Sequence, residues 1–208
     1  MTANPTSWPQ PSIIIWVSPS GSDITGTGSD QNPYQTIERA LLDFKDGYQI
    51  RLMDGTYTPT DTIMISGMTG SIFAENDDEV TIQPQQATGY GAAIAIVNSD
   101  RFTIHGVNIS QSETAGHNYG IYADNVQNFI AYTCTVSGFD CPSGCAGIWA
   151  TGTGRIENCT VSDLTIGNGN LYGIYSNGLD VIDCEVTALT DSGGNGVTGI
   201  YSINDYIP

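Results

Sequence analysis

The sequence predicts an all-β chain wound as a single-stranded parallel β-helix, with one short helix near its N-terminal end. Three observations carry this. A Gly-Ile-aromatic unit recurs four times, as "YGIYADN" from Tyr119, "AGIWATG" from Ala146, "LYGIYSN" from Leu171 and "TGIYSIN" from Thr198. Apolar residues alternate with polar ones over two to four positions before Asn, Asp, Ser or Gly intervenes, the pattern of short strands and tight turns. The alternation itself repeats every 22 to 27 residues, as stacked coils require.

The first element is the helix. Thr36 is placed to N-cap Ile37 to Phe44, with Glu38 in the first turn and Lys45 beyond the last, as the helix dipole prefers. Such a helix covers the open apolar end of a first coil. Asp54 to Tyr57, "DGTY", reads as a turn closing the first strand. These features divide the chain into an N-terminal lead-in segment with its capping helix (1–48) and a run of coils (49–208).

The coils follow. Ile50, Ile72 and Ile94 are spaced by 22, as are Leu52, Ala74 and Ile96, and Val80 and Ile82 meet Phe102 and Ile104 at the same step. From Ile94 the period lengthens, through Ile121, Ile148, Ile174 and Ile200. Cys134, Cys159 and Cys184 keep step with Val136, Val161 and Val186 at 25. Ile94-x-Ile96, Phe102-x-Ile104 and Val107-x-Ile109 put three short strands in one period, which is a parallel β-helix. An α-solenoid needs helical periodicity and a leucine-rich repeat needs its Leu and Asn frame; neither is written here.

The stretch "WVSPSGSDITGTGSDQNPYQTIERALLDFKDGYQIRLMDGTYT" (Trp16 to Thr58) resembles the opening of right-handed β-helix proteins of the pectate-lyase-like superfamily. "GIYADNVQNFIAYTCTVSG" and "GIYSNGLDVIDCEVTAL" are similar to NosD-type β-helix repeats. Together these cover nearly the whole chain. The resemblance implies a right-handed parallel β-helix. It implies no activity, because such folds serve lyases, hydrolases, epimerases, tailspikes and adhesins alike.

Strand parity then sorts the side chains. With Ile inside, Tyr122, Trp149, Tyr175 and Tyr201 point outward and stack as a ladder, coils being about 4.8 Å apart. The ladder serves as glue between coils, worth about 1 kcal/mol per ring pair, or as a binding platform for a neutral glycan or a protein. The three periodic cysteines share the inward parity of their valines. Cys141 and Cys145, in "CPSGC", form a disulfide candidate and are too few for a metal site.

Catalytic chemistry is sparse. Asp183 and Glu185, read as two apart on one strand, put two carboxylates roughly 6–7 Å apart on one face, near the lower end for inverting glycoside hydrolysis. Asp77, Asp78 and Glu79, within "AENDDE", are candidates for a Ca²⁺ site; no other cofactor is expected. The only lysine, Lys45, belongs to the capping helix. Arg101, Asn128, Arg155 and Asp180 are expected on one rung, with Arg155 and Asp180 as a surface pair. His105 is expected near an interior strand, and neither it nor His117 has a partner that the sequence places.

The charge of −17, from 22 acidic and five basic residues, excludes a nucleic-acid partner and disfavours an unaided polyanionic substrate such as a polyuronate. No apolar run is long enough to cross a membrane, and no signal peptide is visible. The chain stops where a coil has just begun, so residues 203–208 are expected to fold over as a lid, or a partner to cover the end, or the chain to be part of a longer protein. The leading expectation is therefore a non-enzymatic structural or binding protein, such as a phage virion component (capsid decoration, fibre or tailspike-like), found in a virion or extracellularly. Its partner would be itself, a larger particle or a neutral glycan. The first alternative is a carbohydrate-active enzyme, a polysaccharide hydrolase or lyase, or a fragment of one. The second is a secreted adhesin or carbohydrate-binding module.

Overall fold

The structure, a computed structural model, describes residues 10–85, 91–111, 118–141, 143–194 and 196–203. The chain winds into a parallel β-solenoid of about six turns with one short helix. Each turn visits the same faces in order, and every pairing between the named strands is parallel.

A ten-stranded sheet supplies two of the faces. Its three long strands, Tyr119–Tyr132, Cys145–Glu157 and Leu171–Ile182, run unbroken around a corner and belong to both. Before the corner they pair with Ala92–Val97 and Val197–Ile203, and Ile63–Ser66 extends the face from Ala92–Val97. We call this the aromatic face. Beyond the corner they continue a stack made of Ile13–Val17, Tyr48–Leu52, Gly70–Ala74 and Phe102–His105, which we call the cationic face. A six-stranded sheet, from Gly55–Tyr57 to Glu185–Val186, forms the third side. A three-stranded strip, containing Asp140–Cys141, Leu164–Ile166 and Leu189–Asp191, widens the later coils.

The interior is a set of like-on-like stacks. Ile94, Ile121, Ile148 and Ile174 are in direct register and fully buried, with Ile200 on the same rung. Val136, Val161 and Val186 stack likewise in the six-stranded sheet. Cys134 and Cys159 are buried free thiols and Cys184 is half-buried. Contact between neighbouring thiols, together with burial, pushes the Cys159 and Cys184 thiols well up, so both stay protonated and serve as small apolar groups.

The glycines of the first three Gly-Ile-aromatic units face this interior, whereas Gly199 of the fourth is exposed. A Cβ at Gly120 would lie 2.3 Å from Val136 Cγ1, at Gly147 2.4 Å from Val161 Cγ1, and at Gly173 2.2 Å from Val186 Cγ1. Each would also press within 3 Å of the carbonyl oxygen of the glycine one coil on. Opposite sheets approach so closely here that no side chain fits.

The helix spans Ile37–Asp43, and Thr36 Oγ1 accepts the Arg39 N–H at 3.1 Å. Ile37, Ala40 and the following Phe44 are buried, and Phe44 packs against Phe102 at 6.3 Å between ring centroids. Three expectations need correction. Ile13–Val17 pairs in register with Tyr48–Leu52, so the lead-in segment contributes a strand and the solenoid does not begin at residue 49. Gly55–Tyr57 is a strand of the six-stranded sheet rather than a turn. The 22-residue period holds only for one step: Ile72 pairs with Ile104, not with Ile94, and Ile82 pairs with Ile109. The segment between Val80–Ile82 and Ala92–Val97 lengthens that coil, so a fixed spacing carried across it lands on the wrong face. Residues 204–208 of the expected lid lie outside the described residues.

Gly147→Ala should lower stability by about 1–3 kcal/mol, because overpacking meets both a side chain and backbone. Gly167→Ala, whose Cβ meets nothing within 4 Å, should shift it by no more than about 0.5 kcal/mol. Paired denaturant melts check both; equal losses would contradict the steric account.

Candidate functional site

On the aromatic face Tyr122, Trp149, Tyr175 and Tyr201 occupy consecutive rungs. Trp149 and Tyr175 lie face to face, 3.7 Å apart and 5° from parallel, and Tyr175 stacks on Tyr201 at 5.3 Å and 17°. A second column three residues earlier adds Tyr119 and Tyr172. Tyr119 packs on Tyr122 and Trp149, and Tyr172 is edge-on to Trp149 and Tyr175. Stacking along the solenoid axis turns ring faces toward one another and ring edges toward solvent. Trp149 and Tyr175 already cover each other, so this geometry serves cohesion between coils more directly than it serves stacking of a flat ligand.

The cationic face carries a different column. Outward-facing Trp16, Arg51, Phe73, His105, Tyr132 and Glu157 share one rung line. Phe73 stacks on His105 at 4.9 Å, and His105 on Tyr132 at 5.3 Å and 12°. The Arg51 guanidinium sits over the Trp16 ring at 5.4 Å and the Phe73 ring at 5.9 Å, a cation–π arrangement on both sides. Beside it runs a polar line of Gln49, Ser71 and Thr103, also in register. Arg51 Nη2 donates to Gln49 Oε1 at 2.8 Å, and Gln49 Nε2 donates to Ser71 Oγ at 3.2 Å. Over the polar line lies a groove of about 470 Å³, lined also by Arg51, Phe73, Arg101, Asp46 and neighbouring residues of the same coils, within the size range of small-molecule sites.

Charge on this face is distributed unevenly. Arg155 pairs with Glu157 at 2.9 Å, and Arg39, in the helix, with Asp43 at 2.9 Å. Among the described residues neither Arg51 nor Arg101 has an acidic partner, in a chain that carries 22 acids. His105 Nδ1 lies 3.4 Å from Asp77 Oδ1. Burial pulls the imidazole below its ordinary value; the Asp77 charge opposes this and the Arg51 charge adds to it. His105 is therefore neutral at neutral pH, with a carboxylate behind it.

The expected acid pair is arranged differently from a shared strand. Asp183 is exposed in the turn before Glu185–Val186, with φ 49°, on a line of left-handed corner residues with Thr133 and Asn158. Glu185 is exposed on the strand that follows, so a corner separates the two. The acidic turn is bound up locally: Asp77 faces His105, and Asn76 Nδ2 donates to Asp54. Asp77, Asp78 and Glu79 do not converge, and among the described residues no three His, Cys, Asp or Glu side chains do. Cys141 and Cys145 are joined by a disulfide at the start of the Cys145–Glu157 strand. Arg155 is in register with Asp180 and with Ile130 rather than Asn128. His105 is the outward-facing last residue of Phe102–His105, a strand paired on both sides, and His117 lies outside the described residues. Sequence reading missed the cationic face because Arg51, Phe73, His105 and Tyr132 follow one another at 22, 32 and 27 residues.

No protein-family model matches the chain. In sequence it is similar to the pectate lyase PEL9 of Emericella nidulans, 32% identical over 126 residues, which covers 55% of this chain and 30% of that enzyme. The match thus spans less than a third of the curated relative. Among solved structures, the Aspergillus niger pectin methylesterase superposes with a TM-score of 0.54 at 19% identity, over 89% of this chain and 69% of that one. Pectin methylesterase PemA from Erwinia chrysanthemi gives 0.51 at 13% identity, over 78% and 54%. The chain shares the parallel β-helix fold of these structures. The expectation of a non-enzymatic virion component is overturned: the sequence relative is a polysaccharide-modifying enzyme, which favours the carbohydrate-active alternative.

Because His105 is depressed in the folded chain, the unfolded chain binds its proton at higher pH. Stability is then complete above the ordinary value of 6.5 and falls as pH drops below it. Melts of wild type and His105→Gln from pH 7.5 to about 5 should show a steeper acid-side loss in wild type. Parallel curves would contradict the depression of the imidazole by burial.

Proposed function

We propose that this chain is a polysaccharide-modifying enzyme module of pectate-lyase-like fold, worked from its cationic face. The match to a pectate lyase carries this reading. The face supports it, since it supplies a groove, cations and a proton-handling group side by side.

Cleavage of a glycan by elimination needs a base that is unprotonated at working pH and held in position. His105 has these properties: a depressed imidazole, oriented by Asp77 and clamped between Phe73 and Tyr132. Phe73 lines the groove and stacks on His105, so the imidazole lies one ring beyond the groove's edge, within reach of a glycan that extends past Phe73. Asp183 and Glu185 stand away from this column and take no part.

De-esterified and methyl-esterified pectins should be incubated with the protein while unsaturated ends, reducing ends and methanol are followed separately. Unsaturated ends are the expected product. His105→Asn should reduce turnover at least about 100-fold, as for loss of a positioned base, and Asp183→Asn should leave it unchanged. Absence of all three products would overturn the enzymatic reading, and full activity in His105→Asn would overturn the assignment of the base.

A further inference from the structure

We infer that the groove on the cationic face is a binding site for an acidic saccharide, and that Arg51 and Arg101 engage carboxylates on different sugar units. This rests on the reading of the chain as polysaccharide-active. It also reverses the expectation, drawn from net charge, that a polyanion needs a bridging cation.

Arg51 is preorganised. Gln49, itself buried, accepts from Nη2, and the rings of Trp16 and Phe73 flank the guanidinium. Its Nε is buried and has no hydrogen-bond partner among the described residues. Planar guanidinium groups match carboxylates in geometry and charge.

Arg101 lines the same groove from the coil that carries Thr103, two coils from Arg51. Two steps of the solenoid set the backbones roughly 10 Å apart. Cations that far apart suit carboxylates on separate units of a chain rather than one small anion. Between them Ser71, whose hydroxyl accepts from Gln49 Nε2, keeps its own O–H to donate to a sugar hydroxyl. The one carboxylate of the lining, Asp46, is occupied by the Thr69 N–H at 2.8 Å.

Calorimetric titration of the whole chain with a de-esterified oligogalacturonate, its fully methyl-esterified counterpart and inorganic phosphate tests this. The acidic oligosaccharide should bind, with affinity falling as salt rises, and the ester and phosphate should bind at least about tenfold more weakly. Arg51→Gln and Arg101→Gln should each weaken binding about tenfold or more, while Arg155→Gln, already paired with Glu157, should not. Arg101 is exposed, so its variant tests the site even if Arg51→Gln disturbs packing. Equal binding of the ester, equal binding of phosphate, or indifference to Arg101→Gln would each overturn the proposal. Tight binding without turnover would sink the enzymatic reading and leave this site standing; turnover with binding untouched by either arginine would do the reverse.

Discussion

The close approach of opposite sheets at Gly120, Gly147 and Gly173 is the constraint from which the later coils follow. A valine of the six-stranded sheet occupies the space where a side chain would begin, so each coil must supply a glycine there. The next residue, isoleucine, then fills the stack beside it, and parity throws the aromatic outward. In its first three copies the Gly-Ile-aromatic unit is thus one steric demand written once per coil. The external ring column follows from the same register, with coil spacing close to the thickness that stacked rings need.

The cationic face obeys the same geometry with different chemistry. Register brings Arg51, Phe73, His105 and Tyr132 onto one line, where the rings and the guanidinium hold one another in place. On most of this surface the acids outnumber the bases and suppress anion binding. Here, among the described residues, two guanidiniums form no ion pair, and they outnumber the single carboxylate of the groove, Asp46, inside a strongly negative chain. Net charge describes long-range steering and solubility; it does not describe a groove whose own charges lie within a Debye length of the ligand.

Much of the architecture was legible because buried stacks repeat like residues. Ile94 through Ile200, the cysteine and valine lines, and the capped helix at Thr36 are where periodicity and capping chemistry put them. What was not legible depends on coil length. The unequal steps of 22, 32 and 27 hide the line from Arg51 to Tyr132, because the insertions are in the connections and leave no mark on the strands. Asp183 was read as a strand residue because parity carries no information about where a corner falls. Its left-handed backbone, shared with Asn158, is the kind of turn that Asn and Asp tolerate.

The central claim is that the working face is the cationic one, and its location can be observed directly. A crystal structure of the chain soaked with a short de-esterified oligogalacturonate should show the saccharide lying along the coils between Arg51 and Arg101, with one end toward His105. Density instead on the aromatic face, against Trp149 and Tyr175, would contradict the account.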